Sequence, residues 1–329
     1  MKRIGLLGCG RIGRIHAHNV VATPNAQLVA VCDPIDDAAQ ALAQATGAEV
    51  RRMADIIRAD DIDAILLCTP TTTHYDIIHQ AAERGKAVFC EKPVDLSLKR
   101  SQECVQAVAG AAIPFMVAFN RRFDPNFAAL EKRLRQGDIG DIEMITILSR
   151  DPSPPPLEIL KNSGGLFQDM MIHDFDMARF LLGEDPVEVY AMGSALVTPE
   201  IQEFQDIDTA AVLLKTASGK ICQISNSRRA SYGYDQRIEV HGSKGMVRAD
   251  NQLETSVEIA TEEGFQKAPA QHFFLERYAE AYRQEMAHFV ENLYEGTAMA
   301  PNGQDGIAAQ KLAEAALMSH KTGKPVALE

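Results

Sequence analysis

The chain has 329 residues, of which 46% are hydrophobic, and carries a formal charge of −12. Such a length exceeds a typical single domain and supplies a sizeable core, so two domains are expected. The acidic balance argues against polyanionic partners, nucleic acid or an anionic membrane surface, because the arginine doublets at 51–52, 121–122 and 228–229 stand apart and form no basic stripe.

No apolar run is long enough to span a bilayer, and the first strand begins too near Met1 to leave room for a separate leader. The six cysteines show no C-x-x-C or zinc-ligand spacing, and Cys32, Cys68 and Cys90 end apolar runs, where cysteine serves as a small hydrophobe. A reduced, cytoplasmic protein with a small-molecule partner and no metal is the expectation.

Near-continuous apolar runs at 3–8, 27–32, 63–68, 86–90 and 114–119 alternate with helical patterns around 12–22, 36–47, 74–84 and 97–110. Runs of that kind suit parallel strands buried on both faces, and the alternation predicts a doubly wound α/β domain over residues 1–120. Between the first strand and first helix stands "GCGRIG", residues 8–13. Gly8 permits a tight turn, Gly10 allows backbone to approach a pyrophosphate, and Gly13 lets helix and strand pack closely. Arg11 and Ile12 complete the loop. Asp33, ending the second run, is placed to accept hydrogen bonds from a ribose diol and to repel a 2′-phosphate, which favours NAD over NADP. Arg11 leaves two readings, a meeting with a 2′-phosphate or packing over adenine.

The third run leads into "TPTTTH", placing Thr69, Pro70 and His74 at the carboxyl edge of the sheet, the ligand side of such a fold. Thr69 is a candidate cofactor contact, whereas His74 could equally cap or solvate a helix. The fourth run ends in "CEKPV". Pro93 fixes its own φ and restricts Lys92, a candidate hydrogen-bond donor or proton relay; an ordinary surface lysine is the competing reading.

Beyond residue 120 the rhythm changes, and a second domain over 121–329 is expected. A helix near 127–137 leads to a strand at 142–149 and then to "DPSPPP", which cannot be regular structure. One helix near 165–183, capped by Gly183, precedes strand-like runs at 187–197, 208–217, 219–228, 236–243 and 245–250. The turns "ASGK" and "GSKG" join neighbours, so this sheet should be largely antiparallel. Two terminal helices, near 272–294 and 303–320, are free to pack back on the first domain.

On the helix near 165–183, Asp169 and His173 lie four apart and on one face, a spacing that lets a carboxylate orient an imidazole as general base. Asp176 falls near that face, and Asp174 is expected to point away into solvent. A plain ion pair competes with this reading, as does metal ligation, although no further ligand group is evident. Asn120, Arg121 and Tyr234 are candidate hydroxyl-binding groups. His16, His18, His241, His272 and His288 have no partner pattern and read as structural.

"GCGRIG", "TPTTTH", "EKP" and D-x-x-x-H, in this order, resemble the glucose–fructose oxidoreductase, inositol dehydrogenase and rhizopine-catabolism family along the full length. The resemblance implies an N-terminal Rossmann domain and a C-terminal α/β domain with an open, mostly antiparallel sheet. "FNRRFDPNF", "GGLFQDMMIHDFDMARFLLG", "RRASYGYDQRIEVHGSKGM" and "QHFFLERY" look most like the inositol 2-dehydrogenases, which oxidise myo-inositol with NAD to the 2-keto inositol.

Carried onto this sequence, the catalytic set is Lys92, Asp169 and His173. Cofactor contacts fall on Gly8, Gly10, Arg11, Ile12, Gly13, Asp33, Thr69, Pro70, His74, Glu91 and Lys92. Substrate contacts fall on Lys92, Asn120, Arg121, Asp151, Asp169, His173 and Tyr234. A homo-oligomer, dimer or homotetramer, built through the open sheet is implied too. A dehydrogenase of another inositol isomer, sugar or polyol, a cofactor-binding regulator without turnover, and glycoside cleavage through transient oxidation are the alternatives.

Overall fold

The computed structural model describes residues 1–328. Two compact units make up the chain: residues 1–123 with 280–308, and residues 124–279 with 309 onward.

The first unit opens with β1 (Lys2–Leu7), α1 (Arg11–Ala22), β2 (Ala26–Cys32), α2 (Asp36–Thr46), β3 (Glu49–Val50) and α3 (Met53–Arg58). It continues with β4 (Ala64–Leu67), α4 (His74–Glu83), β5 (Ala87–Glu91), α5 (Leu98–Gly110) and β6 (Phe115–Ala118). Its sheet runs β3-β2-β1-β4-β5-β6 with every pairing parallel. The doubly wound sheet expected from the apolar runs is therefore present. β4 and β6 are buried along their whole length, which is why they read as unbroken apolar stretches.

Strand order reverses at β1, between β2 and β4, and the ligand crevice of such a sheet lies outside the carboxyl ends at that point. Ile4, Leu6, Val31, Leu66, Phe89 and Met116 form the core with Met286, Phe289 and Val290 of the late helix Ala279–Glu295. β3 and α3 have no counterpart among the expected elements. β3 is two exposed residues long, too short for any periodicity to register.

The second unit begins with α6 (Pro125–Arg135), where Asp124 caps the helix by accepting from the amides of Asn126 and Phe127. Then follow β7 (Ile142–Arg150), α7 (Leu157–Leu160), α8 (Gly165–Asp169) and α9 (Ile172–Leu182). β8 (Pro186–Ser194), β9 (Thr209–Thr216), β10 (Ile221–Ser227), β11 (Asp235–Gly242) and β12 (Gly245–Ala249) come next. An exposed hairpin of β13 (Glu258–Thr261) and β14 (Gly264–Lys267) precedes α10 (Phe274–Arg277), α11 (Ala279–Glu295), α12 (Gly303–Thr322) and β15 (Val326–Ala327).

The main sheet of this unit runs β12-β11-β7-β10-β9-β8-β15, with β7 and β10 parallel and every other pair antiparallel. That agrees with the mostly antiparallel sheet expected. Strict alternation along β9 buries Val212 and Leu214 on one face and exposes Ala211, Leu213 and Lys215 on the other.

The helix expected across 165–183 is two helices. The Met171 amide bonds the Leu166 carbonyl (2.9 Å), five residues back, so α8 ends in a wide turn and α9 starts anew at Ile172. Its far end closes as expected, with Gly183 in the left-handed region (φ 71°).

Candidate active site

The loop between β1 and α1 has the form that a dinucleotide phosphate requires. Gly8 sits at φ +97°, and a Cβ there would lie 2.5 Å from the Cys68 carbonyl oxygen at the end of β4. A Cβ on Gly13 would strike the Gly8 carbonyl oxygen, so α1 approaches the loop only because residue 13 is glycine. At Gly10 a Cβ would meet nothing within 4 Å, leaving the backbone open to a ligand. α1 also has no side-chain cap and no acid in its first turn, so its first amides stay available to an anion. Arg11 is exposed and Ile12 partly so.

Asp33 follows β2 and accepts from two amides, Cys9 to Oδ2 (2.7 Å) and Ile35 to Oδ1 (2.9 Å). The carboxylate is thus tied to the glycine loop, and its side chain stays partly accessible. After β4, the Thr69 and Thr73 hydroxyls bond each other (2.7 Å), and Pro70 is exposed.

His74 is buried, with Nε2 3.0 Å from the Thr69 carbonyl and Nδ1 3.1 Å from the Pro93 carbonyl. It therefore sits between the loops that follow β4 and β5, and as a neutral ring with one N–H it donates to one of the two carbonyls. Burial pulls its pKa down, against the two carbonyls, which pull it up. Glu91 ends β5; its carboxylate takes the His16 ring nitrogen at 2.8 Å and the Lys92 amide at 3.3 Å. Lys92 is partly accessible, and the Lys92–Pro93 peptide is cis. Asn120 and Arg121 are buried in a short 3-10 turn just after β6, at the same end of the sheet.

In the second unit, strand register gathers the other candidates at one sheet end. Arg150 at the end of β7 pairs with both Ser227 and Asp235, so Asp151, Arg228 and Tyr234 each stand one residue beyond a paired position. The Asp151 amide bonds the Ser227 carbonyl (3.0 Å), and Tyr234 is buried against Tyr278 (ring centroids 5.9 Å apart).

Arg228, itself 1% exposed, donates through Nη2 to Asp169 Oδ2 at 3.1 Å. Asp174, expected in solvent, is fully buried and accepts from Asn226 Nδ2 at 2.9 Å; the break between α8 and α9 turns it inward toward β10. Asp176 is buried as well. Along Leu166–Ala178 every residue is buried except Asp169 and His173, which are partly accessible. A packed background, apolar except for buried Gln168, Asp174 and Asp176, therefore presents one accessible carboxylate and one accessible imidazole. Because α8 ends at Asp169 and α9 starts at Ile172, the two do not share the single helix expected from their spacing.

The profile described as "Oxidoreductase family, NAD-binding Rossmann fold" matches residues 2–119, and "Oxidoreductase family, C-terminal alpha/beta domain" matches 131–328. The chain belongs to this oxidoreductase family. It is similar to the inositol 2-dehydrogenase of Rhizobium meliloti (strain 1021), 54% identical over 317 residues and 96% of each chain.

Among solved structures, this oxidoreductase is similar to a putative myo-inositol dehydrogenase from Sinorhizobium meliloti 1021 (TM-score 0.98, 52% identity, 100% of each chain). It is also similar to scyllo-inositol dehydrogenase from Lactobacillus casei with bound NAD(H) and scyllo-inositol (TM-score 0.93, 30% identity, 99% of each chain). NAD is accordingly its cofactor class, and the open Gly10 backbone and uncapped α1 fit that group.

Arg228, Asn226 and His16 are residues of this enzyme that sequence reasoning passed over. Arg228 stood only as half of an isolated doublet; its place directly after a strand end was the available signal. His16 had none, because its partner lies 75 residues away. The six cysteines are free thiols, and burial drives Cys9 and Cys104 up to about 12 and Cys68, Cys90 and Cys222 well above the usual range. Among the described residues no helix is long and apolar enough to cross a membrane, and no group of three or more His, Cys, Asp or Glu could hold a metal.

Proposed function

We propose that this oxidoreductase oxidises myo-inositol to 2-keto-myo-inositol with NAD. The observation that carries the reading is the partly accessible Asp169 and His173 pair on an otherwise buried segment, in a chain 54% identical to a protein named inositol 2-dehydrogenase. Bound NAD would supply the hydride acceptor for the carbinol carbon.

His173 takes the hydroxyl proton, and Asp169 orients the imidazole and raises its basicity. Lys92 donates to the same oxygen, positioning it and steadying negative charge as it develops. Asn120, Arg121, Asp151 and Tyr234 bind the remaining hydroxyls. The stretch 1–120 carries the cofactor through Gly8, Gly10, Arg11, Ile12, Gly13, Asp33, Thr69, Pro70, His74 and Glu91, and 121–329 carries the polyol and the contacts between copies.

A homo-oligomer, dimer or tetramer, and a cytoplasmic location complete the proposal. The open face of the second unit's sheet supports the first. Its cross-strand rows bring exposed Met192, Leu213, Ile221, Met144 and Met246 onto one side. Another inositol isomer is the second reading, favoured by the likeness to a scyllo-inositol dehydrogenase.

Lys92→Ala tests the mechanism. NAD affinity measured by calorimetry should stay within about threefold of the parent while turnover falls by roughly a thousandfold, as for loss of a group acting in the transition state. Near-normal turnover with normal NAD binding would remove Lys92 from the reaction.

A further inference from the structure

His16 lies on the inner face of α1, the helix whose first turn meets the cofactor phosphates, and it is completely buried. Its ring is held edge-on by Phe89 of β5 (4.9 Å) and Tyr282 of α11 (5.7 Å). Nε2 then points at Glu91 Oε1, 2.8 Å away, and Glu91 Oε2 accepts the amide of Lys92 at 3.3 Å. One carboxylate thus joins the phosphate-binding helix to the backbone of the residue that carries the lysine.

A carboxylate only 14% exposed is costly unless it is hydrogen-bonded, and an all-apolar contact between α1 and β5 would pack as well without it. The cost falls at the one strand end that carries Lys92. The 2.8 Å contact between His16 and Glu91 is short and directional, so it fixes an orientation that apolar packing leaves loose.

We propose that Glu91, clamped by His16, is a positioning residue for Lys92: it locks the Lys92 backbone to α1, so that the lysine and the cofactor phosphates share one rigid frame. The proposal rests on the reading of Lys92 as a catalytic residue, and it assigns Glu91 an inward task besides any contact with cofactor. His16→Leu keeps the bulk and removes the donor, whereas His16→Gln keeps a donor. Glu91→Ala removes both contacts at once.

The experiment uses the full-length enzyme with NAD and myo-inositol, and runs Lys92→Ala in parallel. His16→Leu and Glu91→Ala should each lower kcat by about tenfold or more, with KM for the polyol and, in His16→Leu, Kd for NAD within about threefold, and His16→Gln should recover most of the loss. The double variant His16→Leu with Glu91→Ala should fall no further than Glu91→Ala alone, because the two residues act as one unit. Backbone hydrogen exchange across 89–94 should quicken in His16→Leu and Glu91→Ala and return to the parent rate in His16→Gln.

Parent-like kcat in His16→Leu beside an inactive Lys92→Ala would overturn the positioning role and leave the catalytic reading intact. Multiplicative losses in the double variant, or His16→Gln as poor as His16→Leu, would overturn it too. An active Lys92→Ala would instead strike the catalytic reading, and hydrogen exchange would then decide the clamp by itself, unchanged rates across 89–94 refuting it. Should His16→Leu fail to fold, Glu91→Ala carries the same comparison.

Discussion

Arg228 reaches Asp169 from 59 residues along the chain, and that single contact sets much of the chemistry proposed for the second unit. A buried guanidinium beside the carboxylate fixes its direction, so that the remaining oxygen surface can serve His173. Hydrogen bonds to charged groups are worth about 1.5–3 kcal/mol. Arg228→Met should therefore cut kcat roughly tenfold to a hundredfold, while NAD affinity, set by residues of the first unit, holds. Unchanged kcat would show that Asp169 needs no such support. The residue scale also marks the limit of legibility. The turn glycines were legible because their steric demands are local, whereas buried Asp174 accepts from Asn226, 52 residues away.

Among the elements, the strands and helices of the first unit follow from apolar periodicity because each parallel strand is buried on both faces. The break between α8 and α9 did not follow, since 165–183 has no proline and its periodicity continues through Met170 and Met171. Tertiary hydrogen bonds from Asn226 and Arg228, on and just beyond β10, accompany the break instead. Another element-scale property is the burial of His74 between the loops after β4 and β5. Its folded pKa lies below the usual 6.5 because of burial, so the unfolded chain binds the proton more tightly. Stability from this group is fully present above pH 6.5 and is lost as pH falls below it, by at most about 1.4 kcal/mol per pH unit. Urea midpoints between pH 7 and pH 5 should decline less steeply in His74→Gln than in the parent. Equal slopes would contradict a neutral, buried imidazole.

For the whole molecule, the open face of the second unit's sheet presents Met192, Leu213 and Ile221 to solvent in one copy of the chain. A copy-to-copy contact there would bury them, and Leu213→Glu should shift the mass measured by light scattering toward the single chain without changing the fold. A parent protein already of single-chain mass would refute the homo-oligomer. Two domains and their order were legible in the sequence because the apolar rhythm changes near residue 120, and the terminal helices stood as free to pack back on the first domain. That 280–308 joins the first unit while 309 onward joins the second was left open, since a helix pattern does not say which core it joins. The central claim is NAD-dependent oxidation of a cyclic polyol, and initial rates of NADH or NADPH formation on myo-, scyllo- and chiro-inositol and glucose test it most directly. The account predicts that myo-inositol with NAD gives the highest rate and that NADP is poor, because Asp33 repels its 2′-phosphate. Silence on every inositol, or a preference for NADP, would contradict it.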